Sequence, residues 1–210
     1  MIRSMRLAAL PLLLALAACG TQRTADAPGA GPAPDRTALE ARARTLESAM
    51  ELIYVTRVQG FELAKQSLGP SGNDGFQSTY VSASGGGRIR LVVDRGSLTG
   101  ADCPSIHVDD ADAATVQCEP DGDATWYRTS GGRHEYARAA DGHIVRVAAD
   151  RSAVDRSTLR EAAASAHRAD DRELDAILPE ERSAPTAPVE RGDLPPVGDG
   201  APNNDVGAGG

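Results

Sequence analysis

From Phe76 onward the chain breaks into short runs in which apolar and polar residues alternate: FQSTYVSAS, RIRLVVD, SIHVD, ATVQCE, ATWYRTS, RHEYARAA and HIVRVAA. Alternation of period two places one set of side chains on one face of an extended strand. Several runs are joined by Gly-Gly or Asp-Gly pairs, which accept the positive φ of a tight hairpin turn. The pattern predicts an antiparallel meander of about seven strands. If Gly131-Gly132 and Asp141-Gly142 are two-residue turns, Arg128 falls opposite Glu135, and Tyr127, Tyr136 and Val147 form a row across three strands. A third such turn at Asp121-Gly122 would add Val116 to that row and turn Cys118 to the same, inner face. Trp126 then lies on the opposite face.

The flanks of this region carry the helical period. Leu39, Ala43, Leu46, Met50 and Ile53 recur at spacings of three and four, which predicts a helix over 37–53. Its continuation through ELIYVTRVQGFELAKQSLGP is open, because β-branched residues alternate there with helix formers, and Gly69-Pro70 is a stop. After the strands, Asp155 or Ser157 can cap a helix running to about His167, with Thr158-x-x-Glu161 as a capping box. A second start at Asp170-Asp171 with Glu173 opens RELDAIL, which Pro179 closes. The expected fold class is α+β: an antiparallel sheet, an N-terminal helix and a C-terminal helical pair, over residues 36–182.

Both ends of the chain differ in composition from this region. Residues 183–210 hold five prolines and six glycines in 28 residues, the signature of a disordered tail. Residues 19–35 are rich in Pro, Gly, Ala and Thr, as in a flexible tether, with a reach of about 20–25 Å. Residues 1–18 read as a secretory signal, with Arg3 and Arg6 before a twelve-residue apolar run, Leu7 to Ala18. That run is short of the ~20 residues a permanent membrane helix needs.

The signal ends Leu16-Ala17-Ala18-Cys19 with Gly20 next, and this resembles the lipobox of bacterial membrane lipoproteins at all four positions. The resemblance implies that Cys19 receives a diacylglyceryl group through its sulfur. It also implies that the leader is removed and that the mature protein is anchored by acyl chains to the outer, extracytoplasmic face of the cell membrane. Runs such as TRVQGFELAKQS and RGDLPPVGDG are similar to those of a group of uncharacterised streptomycete lipoproteins, from which no activity transfers. An actinobacterial source fits the usage of one lysine against 21 arginines. Export leaves Cys103 and Cys118 as an even pair in an oxidising compartment, so a disulfide is expected, contributing about 3 kcal/mol by loop-closure entropy.

Net charge is −8, and −10 without Arg3 and Arg6, with seven aromatic residues in 210. An acidic chain with so few stacking platforms is a poor fit to nucleic acid. No Gly-x-Ser-x-Gly elbow, Ser-x-x-Lys, His-x-x-x-His or His-Glu-x-x-His occurs, so no catalytic residues, metal ligands or cofactor are assigned. His107, His134, His143 and His167 are scattered and read as polar residues near strand edges. The carboxylates crowded into 102–123 read as a solvated acidic loop, with an irregular calcium site as the alternative. The expected role is therefore noncatalytic: a cell-surface lipoprotein that binds or modulates a partner in the envelope. The alternative is a carrier of a lipid or other apolar ligand between sheet and helix, with Tyr80, Tyr127 and Tyr136 on the ligand face.

Overall fold

The computed structural model describes residues 33–112 and 115–180. Cys19, the signal, most of the tether and the tail lie outside the described residues. The elements are α1 (Arg36–Thr45), β1 (Tyr54–Val55), β2 (Phe61–Leu63), β3 (Gly69–Ser71), β4 (Gly75–Ser82), β5 (Arg88–Arg95), β6 (Gln117–Pro120), β7 (Thr125–Ser130), β8 (Arg133–Ala140), β9 (His143–Asp150), α2 (Arg156–Ser165), β10 (His167–Arg168) and α3 (Asp171–Ile177). The fold is α+β, with an eight-stranded antiparallel sheet in the order β2-β4-β5-β9-β8-β7-β6 and β3 also paired to β4.

The two tight turns fall where the dipeptides predict them. Ser130 pairs with Arg133 and Ala140 with His143, and Gly131 and Gly142 have φ of 55° and 75°. Arg128 stands opposite Glu135, and Tyr127, Tyr136 and Val147 form one row. The turn at Asp121-Gly122 is longer than two residues. The Asp121 amide bonds the Thr125 carbonyl, Ala124 takes φ 47°, and Glu119, not Val116, stands opposite Tyr127. This shift of three residues is odd, so it moves every side chain of β6 to the other face. Cys118 pairs with Arg128 and turns away from the tyrosine row, which corrects the inward placement expected of it. Asp121 is held out of the turn because its carboxylate accepts hydrogen bonds from Tyr136, Arg156 and Arg160.

Nor is the sheet one continuous meander. β5 lies beside β9 in the middle, while β6 is the far edge, and residues 96–112 cross the face of β9, β8 and β7 between them. SIHVD belongs to this crossing and forms no strand. It carries Leu98, Cys103 and Val108, all buried, so the sheet is covered on both faces. On the first face α2 packs on β8 and β9, burying Leu91, Val93, Tyr136, Val147 and Leu159 in one core. α1 packs on α3 around Phe76, Ile53 and Val55.

The first helix ends at Thr45, well short of Ile53. Leu46 caps it, Glu47 takes φ 58°, and the chain re-forms a single 3₁₀ turn at Met50–Leu52 before β1. The open stretch after it supplies β1, β2 and β3. Asp155, not Ser157, caps α2, its carboxylate accepting from the Thr158 amide. The reciprocal capping box belongs to α3, between Asp170 and Glu173, rather than to Thr158 and Glu161. His167 is in β10, paired with Val55, so α2 stops two residues before it.

Candidate functional site

Tyr136 is the centre of the first face, and α2 brings two arginines to it. Residues 156 and 160 are one helical turn apart and therefore point the same way. Arg156 Nε and Arg160 Nε donate to the Tyr136 hydroxyl at 3.2 and 3.0 Å, and that hydroxyl donates to Asp121 Oδ2 at 2.7 Å. Arg156 also grips Glu119 with two parallel hydrogen bonds of 3.0 and 2.8 Å and lies 3.8 Å above the Tyr127 ring. The Tyr136 hydrogen bond, with the two guanidiniums, holds the Asp121 carboxyl below the usual carboxylate range, and Arg156 does the same for Glu119.

Beside this network the small residues Ala163 and Ala164 of α2 leave a cleft of about 230 Å³ against Val145, Val147 and Tyr136. Arg160, Asp121, Thr125 and Arg138 complete its wall. Arg138 differs from the other two arginines. It is half-buried, bonds only the Ala166 carbonyl at 2.9 Å, and has no carboxylate partner among the described residues. A guanidinium in that position offers a forked donor set to an acidic group whose body lies on the valines.

Of the three tyrosines expected on a ligand face, only Tyr136 lines this cleft. Tyr80 is buried and its hydroxyl accepts from the Thr56 amide at 3.0 Å; burial pushes its pKa up. Tyr127 lies under Arg156 and bonds His134 Nδ1 at 3.1 Å. The space between sheet and helix is filled by side chains such as Ile89, Leu91 and Leu159, none with measurable exposure.

The second face holds what alternation along the strands does not reveal. Arg128 and Glu135 are both fully buried and ion-paired beneath residues 106–109, with Glu135 also accepting from the Asp109 amide and Arg128 donating to the Ile106 carbonyl. Desolvation raises the Glu135 pKa and lowers that of Arg128, each partly offset by the other. Cys103 and Cys118 are joined in a disulfide that ties the crossing segment to edge strand β6, next to Trp126. The signal for this arrangement is the set of small residues at Ala137, Ala139 and Ala148, which leaves room for a covering segment.

His134 is buried in the sheet rather than set at a strand edge, and its pKa is lowered by desolvation and by Arg151 and Arg133. His143 bonds Tyr54 and His167 bonds Glu173. None of these is a nucleophile–base pair of hydrolytic type. Among the described residues no three His, Cys, Asp or Glu side chains are placed to hold a metal ion, and the acidic 102–123 stretch is instead engaged by arginines at Asp109, Asp110, Glu119 and Asp121.

Fold and site together define a disulfide-tied α+β domain with a small cleft that is apolar at its floor and carries Arg138, Arg160, Asp121 and Thr125 in its wall. No protein-family model matches the chain, and no curated protein or solved structure does either.

Proposed function

We propose that this chain is a lipid-anchored, noncatalytic binding module of the cell envelope, acylated at Cys19, which takes an acidic side chain of a partner protein into the cleft beside α2. The observation that carries the reading is Arg138, a half-buried cation without a carboxylate partner among the described residues, beside the apolar floor of Val145 and Val147. The cleft volume, about 230 Å³, lies below the roughly 300–1,000 Å³ of pockets that enclose whole small ligands. It suits one or two residues of a docked segment better than the acyl chains of a carried lipid. Lipidation is supported by Leu16-Ala17-Ala18-Cys19, and an oxidising compartment by the Cys103–Cys118 pair.

A photoreactive residue at the exposed position Ala164, used in intact membranes with and without Arg138→Gln, tests the cleft. One discrete protein adduct that is lost with Arg138→Gln is the expected result. Labelling of lipid alone would replace this reading with the carrier, and no discrete adduct would reject both. Intact mass of the membrane fraction tests the anchor: a diacylglyceryl mass on a chain beginning at Cys19, absent from Cys19→Ala, is expected. An unmodified soluble chain would overturn it.

A further inference from the structure

The opposite face of the sheet, at the end away from the disulfide, gathers three arginines from two strands. Arg88 and Arg90 are on β5 and Arg133 begins β8. The register puts Thr79 beside Arg90, Arg90 beside Ala148, and Ala148 beside Glu135. A recess lies between the β5 and β8 arginines. This recess is about 240 Å³, and Ser67, Gln77 and Thr79 add hydroxyl and amide groups to its wall.

Its charges do not balance. Arg88 is exposed and has no carboxylate partner among the described residues. Arg90 Nη1 lies 3.1 Å from Asp110 Oδ1 and 3.2 Å from Asp109 Oδ2, and Arg133 Nη2 lies 3.9 Å from Asp110 Oδ2. Asp150, opposite Arg133, is held instead by the Ser152 amide and hydroxyl at 2.7 and 2.6 Å. Within ion-pair distance three guanidiniums therefore meet two carboxylates, with Asp150 a more distant charge opposite Arg133, in a chain whose net charge is −8. Asp109 is half-buried and belongs to the packing, its main-chain carbonyl accepting from Arg133 Nε at 3.2 Å. Asp110 is different, because 61% of its side chain is exposed while its carboxylate bridges Arg90 and Arg133.

We propose that this recess is a phosphoryl-binding site, and that the Asp110 carboxylate occupies the place of the ligand's anionic oxygens when the site is empty. An arriving phosphoryl group displaces the exposed Asp110 outward. It then bridges Arg90 and Arg133 as the carboxylate does, and gains Arg88 as a third cation and the Thr79 hydroxyl as a neutral donor. A carboxylate has two oxygens in one plane for this set, whereas free phosphate or a terminal phosphoryl group has at least three unesterified oxygens, and a diester two in tetrahedral array, to set against a tripod of guanidiniums. The recess is open to solvent and too small for a large molecule, so the phosphoryl group is bound as a terminal or bridging group of something larger or as free phosphate. The site lies on the face opposite the α2 cleft and does not depend on the reading of that cleft.

The test is calorimetric titration of the full chain, in phosphate-free buffer, with inorganic phosphate and with glycerophosphoglycerol, a soluble diester carrying a phospholipid headgroup. Binding near a dissociation constant of about 1 mM is expected. Arg88→Gln should weaken it about tenfold, and Asp110→Asn, which removes the competing charge and still tolerates positive φ, should tighten it about threefold. Both side chains are exposed, so melting temperatures should stay within about 2 °C of the parent. Tighter binding of the diester identifies a lipid-type headgroup as the source, and binding of inorganic phosphate alone identifies a free phosphate. Absence of binding by either probe, or affinities that Arg88→Gln and Asp110→Asn leave unchanged, overturns the proposal.

Discussion

Arg128 and Glu135 show how much one pair of residues decides. Their pairing follows from a two-residue turn, but their burial follows from a segment that reaches them from elsewhere in the chain. A buried ion pair is a weak source of stability, because desolvation opposes the Coulomb gain, whereas half of one is strongly destabilising. Glu135→Gln should therefore cost about 3–5 kcal/mol in urea unfolding, and Arg128→Met with Glu135→Leu should recover most of that loss. His134 makes a pH-dependent contribution. Its folded pKa lies below the ordinary 6.5, so between those values the unfolded chain binds the extra proton and unfolding is favoured as pH falls. Stability measured from pH 7.5 downward should begin to fall near pH 6.5, before the carboxylates titrate, and His134→Gln should flatten that part of the curve. Tyr136 belongs at the same scale: its place in the row with Val147 is legible from spacing, and its two arginine partners are not.

At the scale of elements the crossing segment and α2 do opposite jobs on the two faces. Residues 96–112 have little secondary structure of their own, and the disulfide, with a sequence separation of 15, restrains them. Replacing both Cys103 and Cys118 by Ala should lower stability by about 3 kcal/mol. Hydrogen exchange should accelerate across 97–112 and leave α2 unchanged, since α2 is anchored from the other side. The helix depends on its cap. Ser157 and Thr158 donate to the Asp155 carboxylate and hold its pKa at about 2, below the ordinary 3.8. The contribution is present above pH 3.8 and lost as pH falls toward 2. Asp155→Ala should speed amide exchange in the first turn of α2 at neutral pH, while Asp155→Asn, which keeps an acceptor, should change it little.

At the scale of the molecule, α1 and α3 join distant parts of the described chain. Arg42 donates to the Asp175 side chain at 2.7 Å, to the Asp175 carbonyl at 2.9 Å and to the Pro179 carbonyl at 3.0 Å, so a residue of the first helix satisfies the end of the last. Arg42→Ala should cost about 2 kcal/mol and loosen both helices together, read as matched increases in their exchange rates. The local pattern alone determined the α+β class, the hairpins at Gly131-Gly132 and Asp141-Gly142, the helix start at Asp170, and the pairing of Tyr127, Tyr136 and Val147. Each of these depends on neighbours a few residues apart, through side-chain alternation, positive φ or a capping oxygen. The tertiary structure alone decided that β9 pairs with β5, that 96–112 covers the second face, that β6 slips by three residues, and that Arg138 and Arg88 have no carboxylate partners among the described residues. Those outcomes depend on which distant surfaces must be buried against each other and which charges meet there, and neither quantity is written in any short stretch of the chain.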